Sequence, residues 1–152
     1  MKKYNKIILA VSTALLGIDI VFLSQNIDNI NMIQFLGLAI LVPCIMVSVM
    51  AASFMSMKNI NSTKIQGLIS AAAAIVTSVV TAIFFKFNNN IISGITAKSN
   101  DLTNQTNFEI SDVQFDNNFS SYIMIFGLVF TISMILNTIF KIYERKGIER
   151  NV

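Results

Sequence analysis

Four apolar runs separated by polar links set the pattern of the chain: residues 7–24, 32–57, 67–85 and 120–140. The third is the most uniform. Gly67 to Phe85 reads GLISAAAAIVTSVVTAIFF, nineteen uncharged residues flanked by Lys64 and Lys86. At 1.5 Å rise per residue, a helix of that length is about 28 Å long, which matches the hydrocarbon core of a bilayer. The run 32–57 is longer and crosses with tilt. The pattern predicts an all-α fold: a single membrane domain over 1–152, built as an integral membrane four-helix antiparallel bundle.

Placed on a helical wheel, the third run sorts its side chains by size. Gly67, Ser70, Ala71, Ala74, Thr77, Ser78, Thr81 and Ala82 gather on one side; Leu68, Ile69, Ile75, Val76, Val79, Val80, Ile83 and Phe84 gather opposite. In lipid, water does not drive helices together, so they associate where small residues let backbones approach, helped by hydroxyl hydrogen bonds. The small face is therefore a docking face.

The second run carries a similar ridge, Cys44, Ser48, Ala52 and Ser56, and the first carries Ala10, Thr13, Ala14 and Gly17. Tight small-residue contacts are expected among helices one, two and three. Pro43 removes a backbone donor inside the second run and should kink it, freeing the carbonyl one turn earlier. The set Ala10, Thr13, Ala14, Gly17 also recurs at constant offset as Ala74, Thr77, Ser78, Thr81. Two ancestral hairpins would produce that, and so would helix-packing grammar alone.

Composition agrees with this class: 54% of the 152 residues are hydrophobic and 12% are charged, which belongs to the membrane class rather than the soluble one. The chain has no His, no Trp and one Cys. That excludes a His-based acid–base pair, an intrachain disulfide and a Cys/His metal cluster. No phosphate loop, nucleophile elbow or buried carboxylate pair is present, so no enzymatic activity and no cofactor are expected.

The distribution of charge gives an orientation. Lys2, Lys3, Lys6, Lys58, Lys64, Lys141, Arg145, Lys146 and Arg150 lie at the two ends and in the link 58–64, against Lys86 and Lys98 elsewhere. Under the positive-inside rule both termini are cytoplasmic and the loop 88–119 is extracytoplasmic. Tyr4 and Tyr143 then fall at the inner boundary and Tyr122 at the outer one, where amphipathic rings collect. The basic start followed by an apolar run resembles a secretion signal. The run is too long for one, however, and no Ala-x-Ala site closes it, so an uncleaved first helix is expected.

Candidate chemistry is sparse. Asp19 is the one ionisable residue inside an expected span. A carboxylate there costs a few kcal/mol on insertion scales unless it is neutralised, hydrogen-bonded or within reach of water. It serves either as a cation- or proton-linked site or as a polar tie to a neighbouring helix. Asn137 is a second intramembrane polar candidate, suited to a hydrogen bond across helices. Cys44 fits the packing ridge better than it fits a reactive thiol. In the loop 88–119, Phe108, Glu109, Asp112, Phe115 and Asp116 interleave aromatic and acidic groups as a contact surface would. The spacing of the acidic residues matches no EF-hand. The short basic tail 141–150 suits anionic headgroups and lacks the folded basic face that nucleic acid requires.

The abundance of Asn, Ile, Lys and Phe, which matches an AT-rich genome, hints at a low-GC bacterium. Together these features point to a non-enzymatic polytopic protein of a cell membrane. Its expected partners are the lipid bilayer and a membrane protein or peptide. It would act as an accessory subunit of a membrane complex or as a small immunity-type protein. The alternative is a small oligomeric transporter or channel that uses Asp19.

Overall fold

The apolar runs become helices, and three of the four extend past the run that marks them. In the computed structural model, which describes residues 2–27, 29–88, 93–95 and 118–149 and side chains only within 4–143, α1 is Lys2–Asn26 and α2 is Met32–Leu36. A π-helical turn, Gly37–Leu41, follows, then α3, Val42–Met57, α4, Thr63–Phe87, and α5, Phe119–Glu149. Backbone groups in lipid must be satisfied within their own segment, and a helix alone does this for an isolated run. Four segments are long and apolar enough to cross a membrane: Tyr4–Asn26, Met32–Met57, Thr63–Phe87 and Phe119–Tyr143. The chain is an all-α, multi-pass, four-helix membrane bundle.

The second span is one rod made of α2, the π turn and α3. It begins on a capping box in which Asn31 Oδ1 accepts from the Gln34 backbone N–H at 2.8 Å and Gln34 Oε1 accepts from the Asn31 N–H at 3.1 Å. Two of the orphan donors at the helix start are thereby satisfied. Further along, the ring of Pro43 would collide with the carbonyl of Ala39 in a regular α-helix. The rod answers with one wide turn, in which the Val42 N–H donates to the Gly37 carbonyl five residues back. The expected disturbance at Pro43 thus takes the form of a π turn on its N-terminal side.

A Schellman motif ends α3. The Ile60 N–H donates to the Met55 carbonyl at 3.1 Å, the Asn59 N–H to the Ser56 carbonyl at 3.0 Å, and Asn59 takes a φ of +52°. Asn tolerates the left-handed region better than other side chains, which is why a residue other than Gly closes this helix. Gln66 then donates to the Ile60 carbonyl at 2.6 Å, tying the turn to α4. At the other end of the bundle Asn118 caps α5 by accepting from the Ser121 N–H at 3.1 Å.

Packing joins α3, α4 and α5 mutually, while α1 packs extensively on α3 alone and lightly on the π turn. Asn5 near the start of α1 donates to Ser56 Oγ near the end of α3 at 2.7 Å. Ser78 Oγ in the second half of α4 lies 3.3 Å from the Tyr122 carbonyl at the start of α5. Both pairs are therefore antiparallel. The expectation that helices one, two and three would share the tight contacts is corrected: the three-helix core is formed by spans two, three and four, and α1 lies on its flank. The ridge of α4 meets α5, an apolar helix whose small residues are too few for the sequence to advertise it as a partner.

The interior holds small and polar residues, and the exterior holds large apolar ones. Ser48, Ala52, Ser70, Ala74 and Ser133 are fully buried, whereas Ile7, Val11, Leu68, Val76, Ile83 and Met124 are at least half exposed. A water-soluble chain does the reverse; in a bilayer, lipid tails cover the outer side chains and close backbone approach fills the interior.

Candidate functional site

Along α1, Asn5, Ser12 and Asp19 are buried at seven-residue spacing, joined by Leu23. Seven residues are close to two helical turns, so these side chains share the face turned toward α3. Two of the three polar groups have partners. Asn5 reaches Ser56, and the Ser12 hydroxyl donates to the Ile8 carbonyl at 2.6 Å, the usual resort of a hydroxyl in a membrane helix. Asp19 is 9% exposed, and its Oδ2 has no hydrogen-bond partner among the described residues.

Asp19 lines a cleft of about 820 Å³ between α1, the second rod and α4. The cleft exists because α1 and α4 both lean on α3 without closing on each other. Leu16 and Ile20 form one wall, Ala39 and Val47 the floor, and Ala72 and Val76 the other wall. Toward the end of the bundle that carries the loop, Ser24, Ile27, Phe84 and Asn88 line it. That end is held by an apolar cluster of Leu23, Ile30, Met32, Phe35, Phe85 and Ile95. Within it the ring of Phe35 stands edge-on to Phe85 at 5.7 Å and stacks with Phe84 at 6.4 Å.

Three of the other wall groups with hydrogen-bonding capacity are engaged, while the Thr81 hydroxyl, which also lines the cleft, makes no hydrogen bond among the described residues. The Thr77 hydroxyl donates to the Ala73 carbonyl at 2.8 Å, the Ser24 hydroxyl to the Val21 carbonyl at 2.8 Å, and the Asn88 amide to the Phe84 carbonyl at 2.8 Å. Among the described lining residues, Asp19 is the one ionisable group.

Of the expected packing residues, Cys44, Ser48, Ala52, Ser70 and Ala74 are buried, and Gly67, Ala71, Ser78 and Ala82 are half-buried. Cys44 and Ala74 meet Ile125 and Val129 at the crossing of α3, α4 and α5. Ser48 Oγ donates to the Cys44 carbonyl at 2.6 Å and lies 3.2 Å from the Val129 carbonyl. A Cβ added at Gly67 would meet nothing within 4 Å, so no close approach depends on that glycine.

The face of α1 is different. Ala10, Thr13, Ala14 and Gly17 are all exposed, and a Cβ at Gly17 would again meet nothing within 4 Å. The expectation that α1 would dock on its own chain through Ala10, Ala14 and Gly17 is therefore corrected: it docks through the opposite, polar stripe. That stripe was readable at seven-residue spacing once the helix is taken back to Lys2.

Asn137 is 1% exposed on α5, and its Oδ1 lacks a partner among the described residues, as do Ser53 Oγ on α3 and Ser70 Oγ on α4. The expected loop contacts, Phe108, Glu109, Asp112, Phe115 and Asp116, lie outside the described residues.

Comparison with family models, with curated proteins and with solved structures gave no match to this chain.

Proposed function

We propose that the protein acts by binding another membrane protein or a membrane-active peptide within the bilayer, as an accessory subunit of a membrane complex or a small immunity-type protein. One observation carries this reading: the small-residue face of α1, Ala10, Thr13, Ala14 and Gly17, is uncovered. The comparable residues Ser48, Ala52, Ser70 and Ala74 are buried inside the chain. A face of this kind offers a partner helix the close backbone approach by which membrane helices associate. In this reading the chain sits in a bacterial cell membrane with both termini cytoplasmic and the segment 88–119 outside.

The test is quantitative co-purification from mild detergent with the tagged full chain, comparing wild type with Ala10→Leu/Ala14→Leu. Loss of a stoichiometric partner at unchanged abundance supports the reading. Retention of that partner, or its absence from the wild type, removes it. Exchanging 88–119 for a neutral linker tests in the same assay whether the loop contributes to recognition.

A second reading, a small transporter or channel, is favoured by the position of Asp19 on the wall of the cleft. Loss of a transport phenotype in Asp19→Asn at constant membrane abundance would support it over the first.

A further inference from the structure

A cleft of about 820 Å³ falls in the size range of sites that take small organic molecules. A single membrane-crossing helix of 10 Å diameter and 30 Å length occupies about 2,400 Å³, so the cleft does not enclose a whole partner helix. The walls are apolar over nearly their whole extent. The exception is a carboxylate that is nine-tenths buried, with one oxygen that pairs with nothing among the described residues. No Lys or Arg is among the residues that line the cleft, so the charge has no internal counter-ion there.

We propose that the cleft is a binding site for an amphiphilic organic monocation. Its positive centre sits against Asp19 Oδ2, and its apolar body lies along Leu16, Val47, Ala72 and Val76. Three properties of the site select this chemistry. The apolar walls favour a hydrophobic body over a hydrated inorganic ion. The lone carboxylate in surroundings of low dielectric attracts a cation with little screening and repels an anion of equal size. With Thr77, Ser24 and Asn88 engaged, Thr81 is the one other polar side chain on the walls besides Asp19, too little to hold a polar neutral ligand. An acyl chain of a bilayer lipid could enter the same space, but it would make no use of Asp19. The proposal concerns binding alone and stands apart from whether α1 meets a partner or the ligand crosses the membrane.

The experiment uses the full chain in nanodiscs of zwitterionic phosphatidylcholine, with empty nanodiscs as the baseline. Equilibrium dialysis measures tetraphenylphosphonium uptake. Tetraphenylborate, an ion of near-equal size and opposite sign, reports non-specific partition. The expected result is saturable phosphonium binding at one site per chain. Asp19→Asn should weaken it about tenfold or more, the effect of leaving a desolvated cation without its counter-charge.

Ala72→Phe projects a ring into the cleft from an exposed position on α4 while keeping the carboxylate, and should also abolish saturable uptake. Tetraphenylborate should follow the empty nanodisc in every case. Because Ala72→Phe alters no buried packing residue, it decides the matter even where Asp19→Asn fails to fold. Phosphonium uptake equal to the empty nanodisc overturns the proposal. So does wild-type affinity in either folded variant. So does borate binding that parallels phosphonium, the signature of a cleft that simply holds lipid.

Discussion

Replacing Ala74 and Ala10 by Leu, one at a time, separates a pattern from its burial. Both alanines open the same small-residue sequence in their helices, yet Ala74 is fully buried and Ala10 is exposed. Ala74 packs with Cys44, Ile125 and Val129 where α3, α4 and α5 meet. A leucine there adds three carbons to a closed interior, and overpacking of that kind costs about 1–3 kcal/mol, or a factor of about 5 to 150 in the folding equilibrium. At Ala10 the same carbons enter lipid, and the change should stay within about 0.5 kcal/mol.

Cys44 supplies the assay, being the sole cysteine of the chain and fully buried. Thiol labelling by a small maleimide across an SDS titration in mixed micelles reports opening of the core it belongs to. Ala74→Leu should move the labelling midpoint to lower SDS, and Ala10→Leu should leave it in place. Equal shifts for the two variants would refute the assignment of α1 to the flank, because Ala10 would then have to be covered within the chain.

Three further outcomes are expected, two from the described geometry and one from the charge pattern of the sequence. Asn59→Val should destabilise the α3–α4 turn by about 1–2 kcal/mol, since a β-branched side chain resists a φ of +52°, whereas Asn59→Gly should be neutral in the same titration. A double-mutant cycle on Asn5→Ala and Ser56→Ala should return a coupling of about 0.6 kcal/mol, the typical worth of a hydrogen bond between membrane helices, and strict additivity would show that this contact does not tether α1. In a Cys44→Ser background, Asn61→Cys should react with an impermeant maleimide only from the cytoplasmic side and Gln105→Cys only from outside, as the Lys and Arg distribution requires; the reverse pattern would invert the topology.

Span positions were legible because run length against bilayer thickness is a one-dimensional question, and Met32–Met57 emerges with the bounds its apolar run implies. The π turn was half legible. Pro43 announces a lost donor, but the choice between a kink and a widened turn depends on whether Gly37 and its neighbours have room to expand. The Asn31–Gln34 capping box and the Asn59 turn are local signals that a reading focused on the spans passes over.

The packing of α1 was not legible from size alone. Its wheel offers two candidate interfaces, the small face through Ala14 and the polar stripe through Ser12 and Asp19. Which one is used depends on what α3 presents at the matching depth. Ser56 decides it at the chain-terminal end by accepting from Asn5. Asp19 stood out as the sole acidic or basic residue inside an apolar run, but the cleft beside it is a gap between non-sequential helices and leaves no trace in either helix.

The core itself is divided along the membrane normal, and this division accounts for where the cleft opens. Toward the chain termini most buried residues are small or polar, Ser53, Ser56, Gln66, Ser70, Ser133 and Asn137 among them, with Met55 the large exception; toward the loop Leu23, Met32, Phe35 and Phe85 are buried, beside the polar Asp19 and Thr81. Small side chains let backbones come close, and rings hold them apart. Space between α1 and α4 accords with the loop half, and Phe85, which packs edge-on at 5.9 Å against the cleft-lining Phe84, probes that end of it. In a water-soluble protein Phe→Ala at a buried site costs about 3–5 kcal/mol, of which part is transfer from water and part the residual cavity. Where lipid takes the place of water the transfer part vanishes, so Phe85→Ala, which removes a ring 5.7 Å from Phe35, should cost less than about 3 kcal/mol in the Cys44 labelling titration. A loss in the full water-soluble range would mean that water reaches this ring when the helices part. The loop end of the cleft would then open to the aqueous phase rather than to the bilayer.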